Sequence, residues 1–252
     1  FRKFHQRGNM KKIIFLFIVS LFAFNAGHAK NIEYKSGDKI YEGFFLKKSE
    51  SAPLIFIHHD WDGLTAYEKK RAKMLYDMGY SVFALDLFGK GIRPTEVKDR
   101  KQHTGELYKD RQKMRAIMKA AYNKAKELNL NVSNAVSIGY CFGGASALEQ
   151  ARSGENLKGY ATFHGGLSTP DGQDYSKTKG KIIIFHGTAD EAISMEVFAE
   201  LAEELEKAKV KNEMITYSQA PHAFTVFDGG RYHKEADEKS WARLQGFLKE
   251  TL

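Results

Sequence analysis

Past residue 30 the chain alternates short apolar runs with amphipathic stretches of helical length, and this alternation predicts an α/β fold: a mostly parallel central sheet with helices on both faces. Two further observations agree. The 252 residues, 42% hydrophobic and 13% aromatic, suffice for a sizeable core and exclude disorder. No repeat, low-complexity tract or linker divides residues 30–252, which read as a single domain. In chain order, strands at 32–35 and 39–47 flank the hairpin signal Ser36-Gly37-Asp38. A strand at 54–58, a helix at 65–78 and a strand at 81–86 follow, then a Gly/Pro-containing loop at 88–94. One long charged helix is expected over 106–128, its Lys and Glu paired on solvated faces. Strand 135–139 leads into a helix at 145–152, and 159–163 is another strand. After a polar surface loop at 168–180 come strand 181–185, helix 192–207, strand 213–217 and a closing helix at 235–252.

The first residues belong to a different class of segment. Met10-Lys11-Lys12, the apolar run 13–24 and the small-residue exit Ala26-Gly27-His28-Ala29 have the three regions of a secretory signal peptide. The apolar run is short for a bilayer span, so no stable membrane insertion is expected. Residues 10–29 are read as that signal, the mature chain as periplasmic or secreted, and residues 1–9 as an upstream extension that carries no chemistry. Five of the 39 Lys/Arg precede residue 30 and no acid does, so the net charge of +8 falls to about +3 in the remainder. A nucleic-acid partner loses its electrostatic support. With one cysteine there is no intrachain disulfide, and a lone thiol in an oxidising compartment favours a chemical purpose for it.

That cysteine, Cys141, stands in Gly139-Tyr140-Cys141-Phe142-Gly143-Gly144 after an apolar strand, the strand-turn-helix pattern of a nucleophile elbow. A Cβ two residues either side of the nucleophile would strike the neighbouring strand or the first helical turn, which is why glycine stands at both places. The following helix aims its N-terminus at the sulfur, an arrangement expected to favour thiolate. A small buried hydrophobe is the plainer account of a free cysteine. In a parallel sheet, chemistry collects past the carboxyl ends of the strands. Asp190 follows strand 181–185 and His222 follows strand 213–217, giving the order nucleophile, acid, histidine of the α/β-hydrolase fold. Asp190 as a helix cap and His222 as a turn residue are the plainer readings, but three suitable residue types past three strand ends favour a triad. In it His222 takes the thiol proton, and Asp190 orients the ring and stabilises its charge. Backbone N–H groups of Phe142 and Trp61 are the expected oxyanion donors.

These residues resemble the dienelactone hydrolase family, and the resemblance runs over essentially the whole mature chain. It is carried by His59-Asp60-Trp61-Asp62-Gly63, Asp86-Leu87-Phe88, the cysteine-centred elbow, His186-Gly187-Thr188-Ala189-Asp190, Pro221-His222-Ala223-Phe224, and Tyr232 with the ending from Ala236 to Leu248. It implies hydrolysis of a small-molecule ester or lactone through an acyl-thioester, with no cofactor or metal. It also implies a carboxylate that interacts with the resting cysteine, here Asp60 where the family pattern has glutamate. The arginines by which the family's dienelactone-cleaving members hold a substrate carboxylate correspond to Lys90 and Val226. Lys90 keeps a charge without bidentate geometry and Val226 has none. With Phe88, Phe224 and Trp61 nearby, the substrate pocket is expected to suit a neutral or partly hydrophobic ester. Consecutive His58, His59 and Asp60 invite a metal reading, but neighbours on a strand end point apart and no fourth ligand is spaced nearby. Gly143-Gly144 has no following Gly-Lys-Ser/Thr and reads as helix packing rather than a phosphate loop. Two rival functions remain: a non-catalytic ligand-binding or sensor protein on a hydrolase scaffold, and thioester or peptide hydrolysis by the same triad.

Overall fold

A computed structural model describes residues 29–252. The upstream extension and, save for Ala29, the expected signal peptide lie outside the described residues. Strands β1 (Lys30–Ser36), β2 (Lys39–Leu46), β3 (Pro53–His58), β4 (Ser81–Leu85), β5 (Asn131–Tyr140), β6 (Gly159–Phe163), β7 (Lys181–Gly187) and β8 (Asn212–Tyr217) form one sheet in the order β1-β2-β4-β3-β5-β6-β7-β8. From β4 to β8 every neighbouring pair is parallel, and only the opening hairpin joins antiparallel. Helices α1 (Ala66–Asp77), α2 (Val97–Lys109), α3 (Arg111–Glu127), α4 (Phe142–Arg152), α5 (Met195–Lys207) and α6 (Lys234–Thr251) cover it. No helix among the described residues is long and apolar enough to cross a membrane.

The period of two along each strand deals side chains to two cores. Leu54 and Phe56 of β3 and Ile182 and Ile184 of β7 face the layer of α3, α4 and α5. Their alternates Ile55, Ile57, Ile183 and Phe185 face α1 and α6. Burial on both faces explains why β3, β4, β6 and β7 read as continuous apolar runs. From β3 the chain steps to β4 on one side, and from β5 it steps to β6 on the other, so the β3/β5 boundary is the topological switch point. His58 pairs with Gly139 across it, which sets the loop after β3 beside the elbow after β5.

Three expected elements are corrected. The single helix at 106–128 is two helices, and the first begins as far back as Val97. Asp110 closes α2 and caps α3, its carboxylate accepting the Lys113 N–H at 2.8 Å. Asp competes with the helix by bonding backbone locally, and here that preference wins. Leu107 and Met114, one on each side of the break, are seven residues apart, so the apolar stripe gives no sign of it. The elbow helix starts at Phe142 rather than 145, because the turn takes a single residue. The next helix starts at Met195 rather than 192, because residues 190–193 form a turn on Asp190.

Candidate active site

Cys141 is the turn residue of the elbow, at φ 53° and ψ −115°. A non-glycine residue held there is strained. The glycines around it have no room for a side chain. A Cβ on Gly139 would lie 1.9 Å from the Gly143 carbonyl oxygen, and one on Gly143 would lie 2.2 Å from that of His58. The elbow is thus wedged between its own first helical turn and β3. Ser146 of α4 adds a tie, its hydroxyl 2.6 Å from His58 Nδ1. Farther along α4, the buried Glu149 carboxylate meets Arg115 at 2.6 Å and Arg152 at 2.9 Å.

The loops after β7 and β8 run together for a comparable reason. A Cβ on Gly187 would lie 2.1 Å from the Ala220 carbonyl oxygen, so glycine is what permits the approach. Ala189 N–H then donates to Ala220 O at 3.1 Å, and Thr188 N–H to Tyr217 O at 2.9 Å. Across this seam His222 Nδ1 lies 2.8 Å from Asp190 Oδ2. The other ring nitrogen, Nε2, lies 3.1 Å from Cys141 Sγ. Asp190 Oδ1 accepts the N–H groups of Ala192 and Ile193, each at 2.9 Å, so one carboxylate holds its own turn and faces the ring as well. Burial alone would raise Asp190, but the bonds from His222 and those two amides outweigh it and keep the carboxyl below its usual range.

The resting sulfur departs from the expectation of a thiolate. Burial, then the negative charge of Asp60, push the Cys141 thiol up to about 12, and the Phe142 N–H and Arg231 offset only part of this. The helix terminus contributes, but desolvation wins. Asp60 itself is raised well above the carboxylate range, by burial first and then by Asp62 and Glu68. One Asp60 oxygen accepts the Asp62 N–H at 3.0 Å, which makes the loop turn. Glu68 is spoken for by α1: it accepts from Thr65 N–H at 2.8 Å and Thr65 Oγ1 at 2.9 Å in a capping box.

A cavity of about 280 Å³ opens over the sulfur, lined by Asp60, Trp61, Cys141, Phe142 and His222. That volume suits a small acyl group. Its other walls are Thr104 and Tyr108 of α2, Gly166, Ala192, Ile193, Ala223 and Arg231. Sequence reasoning missed these. Thr104 and Tyr108 are one helical turn apart, a visible spacing had α2 been placed, whereas nothing local marks Arg231.

The expected substrate-pocket residues Phe88, Lys90 and Phe224 do not line this cavity. Phe88 is 3% exposed, packed behind Phe142 with ring centroids 5.6 Å apart and against His59 at 4.6 Å. Lys90 turns outward into an ion pair with Glu33 of β1. Phe224 is wholly buried against Tyr217 and His164. Of Phe88, Phe224 and Trp61, the three aromatic residues expected to shape the substrate pocket, only Trp61 lines the cavity, with Arg100 over its ring at 5.2 Å. The consecutive histidines do point apart. His58 reaches Ser146 and Ser137, while His59 reaches Asp60 and Leu87.

Comparison with known proteins agrees with this architecture. The dienelactone hydrolase family pattern matches residues 42–252. The chain is 31% identical over 166 residues to a Saccharolobus solfataricus protein named "Putative carboxymethylenebutenolidase", an alignment covering 66% of this chain and 60% of that one. Among solved structures it is similar to one titled m3DLH, at 26% identity and TM-score 0.84, over 90% of this chain and 99% of the other. It is also similar to a dienelactone hydrolase-like promiscuous phosphotriesterase from metagenomic libraries, at 26% identity and TM-score 0.82, over 89% and 98% of the two chains.

Proposed function

The chain belongs to the dienelactone hydrolase family, and from that premise we propose that it hydrolyses small carboxylic esters or lactones with Cys141 as nucleophile. The observation that carries this reading is the continuous line from Asp190 Oδ2 to His222 at 2.8 Å and on to Cys141 Sγ at 3.1 Å, beneath a cavity of about 280 Å³. His222 Nε2 takes the sulfur's proton as Sγ bonds to the substrate carbonyl carbon. The carbonyl oxygen becomes an oxyanion between the N–H groups of Phe142 and Trp61. Its collapse breaks the carbon–oxygen ester bond, the leaving alkoxide takes the proton from His222, and an acyl-thioester remains. Water then gives a proton to His222 and its oxygen to the acyl carbon; the Sγ–C bond breaks and the thiol recovers its proton. Asp190 stabilises the imidazolium in each half. The raised thiol is suited to this order, since the proton leaves only as the carbonyl is attacked and the sulfur stays protected between turnovers.

The test is a short-chain p-nitrophenyl ester panel with mass spectrometry of the stopped reaction. The expected result is a burst of p-nitrophenol, an acyl mass on Cys141, and loss of roughly a thousandfold or more in kcat for Cys141→Ala. Full activity in Cys141→Ala overturns the reading. Saturable ester binding without turnover would instead favour a sensor or binding protein. The signal-like segment before residue 30 supports export to the periplasm or medium, and a mature N-terminus beginning near Lys30 in the same spectra is the expected outcome.

A further inference from the structure

His59 is wholly buried and lies outside the triad, yet both of its ring nitrogens are engaged. The Leu87 N–H, in the loop after β4, donates to His59 Nε2 at 3.0 Å. An N–H cannot donate to a protonated nitrogen, so Nε2 carries no proton and the ring's single proton is on Nδ1. That nitrogen lies 2.6 Å from the Asp60 carbonyl oxygen, to which it donates. The tautomer is therefore fixed by the fold. Burial, the largest influence, keeps the ring below the usual imidazole range and so neutral. Phe88 and Phe142 flank the ring, at 4.6 and 6.2 Å between centroids.

The consequence falls on the next peptide. In a planar trans peptide the C=O of Asp60 and the N–H of Trp61 point in opposite directions. Drawing the carbonyl toward the buried ring turns the N–H away from it, and both Asp60 and Trp61 line the cavity. Among the described residues, no hydrogen bond occupies that N–H. We infer that His59 is a positioning residue for the oxyanion site: it locks the Asp60–Trp61 peptide so that the Trp61 N–H is preset for the developing charge, with Leu87 fixing the tautomer that does so. This rests on the hydrolytic reading above and adds a device that neither the triad nor the elbow contains. Preorganised donors stabilise charge without reorienting during reaction, and a peptide free to rotate loses that advantage.

Two reactions at the same sulfur separate this from a merely structural role. Acylation by p-nitrophenyl acetate builds an oxyanion, whereas alkylation by iodoacetamide displaces iodide and builds none. In His59→Leu, single-turnover acylation should fall roughly tenfold to a hundredfold with KM little changed, while alkylation stays within about twofold. His59→Gln, which keeps one donor and one acceptor, should recover most of the acylation rate. Equal loss of both reactions, or undiminished acylation in folded His59→Leu, overturns the inference. Nitrogen-15 NMR of the unsubstituted protein gives a test that needs no folded variant: a proton on Nδ1 is expected, and one on Nε2 overturns it. Wild-type protein that alkylates but never acylates would remove the hydrolytic reading, and this inference with it. Wild-type acylation together with an unaffected His59→Leu would remove the inference alone.

Discussion

The charge of Asp60 opposes ionisation of the Cys141 thiol, so Asp60→Asn should move the pH profile of Cys141 alkylation toward acid, by up to about one unit. A profile that stays in place or moves toward alkali would count against that account. Arg231 acts from the other side, as a cation on the cavity wall, and should favour acyl groups that end in a carboxylate. Arg231→Ala is expected to raise KM for p-nitrophenyl hemisuccinate several-fold more than for the butyrate, with the difference shrinking as salt is added. Equal effects on both esters would exclude it from recognition. The sharp turn at Cys141 was legible because its flanking glycines report a backbone constraint. The contacts that a Cβ would make, Gly139 against Gly143 and Gly143 against His58, are the ones those residue types imply. The protonation of Cys141 was not legible, since desolvation and a facing carboxylate depend on what the fold brings near. Arg231 was equally invisible: two glycines precede it, and only the return of its loop toward the sulfur sets it in the cavity wall.

Strands were read more securely than helices because burial on both faces leaves a continuous apolar run bounded by polar turns, as in β3 and β7. The α2/α3 junction escaped because a cap at Asp110 interrupts hydrogen bonding without disturbing the apolar period. That one break places Thr104 and Tyr108 over the sulfur, so the missed element and the missed cavity wall are the same omission. The first turn of α1 carries Glu68, whose carboxyl is raised to about 7 chiefly by burial. A raised carboxyl binds its proton more tightly in the folded state. Its contribution is complete below the ordinary value near 4.5 and is lost as pH climbs through about 7. Glu68→Gln should therefore gain stability relative to the parent protein between about pH 4.5 and 8, by on the order of 2–3 kcal/mol, whatever constant offset the altered cap adds. Thermal denaturation of both proteins across that range measures it; a constant gap would refute it.

For the whole molecule, the order β1-β2-β4-β3-β5-β6-β7-β8 explains why residues from positions 60, 141, 190 and 222 meet: the loops after β3 and β5 flank the switch point, and those after β7 and β8 lean toward it. Strand patterning predicted the class of this sheet, whereas the paired ties behind it had no signature in sequence. One of them spans α1 and α6. Arg71, 1% exposed, forms an ion pair with Asp237 and donates to the Thr225 carbonyl at 2.8 Å. Asp237→Ala leaves that guanidinium buried without its counter-charge, a loss of about 3–5 kcal/mol, and should lower the melting temperature by on the order of 10 °C. An unchanged melting temperature would show that water or another group takes over. Thr225 lies three residues beyond His222, and its hydroxyl also meets Tyr67 and His164, at 2.6 and 2.7 Å. The closing helix is thus the abutment against which the imidazole-bearing loop rests, and shortening the protein before Lys234 would silence a centre that none of the removed residues touches.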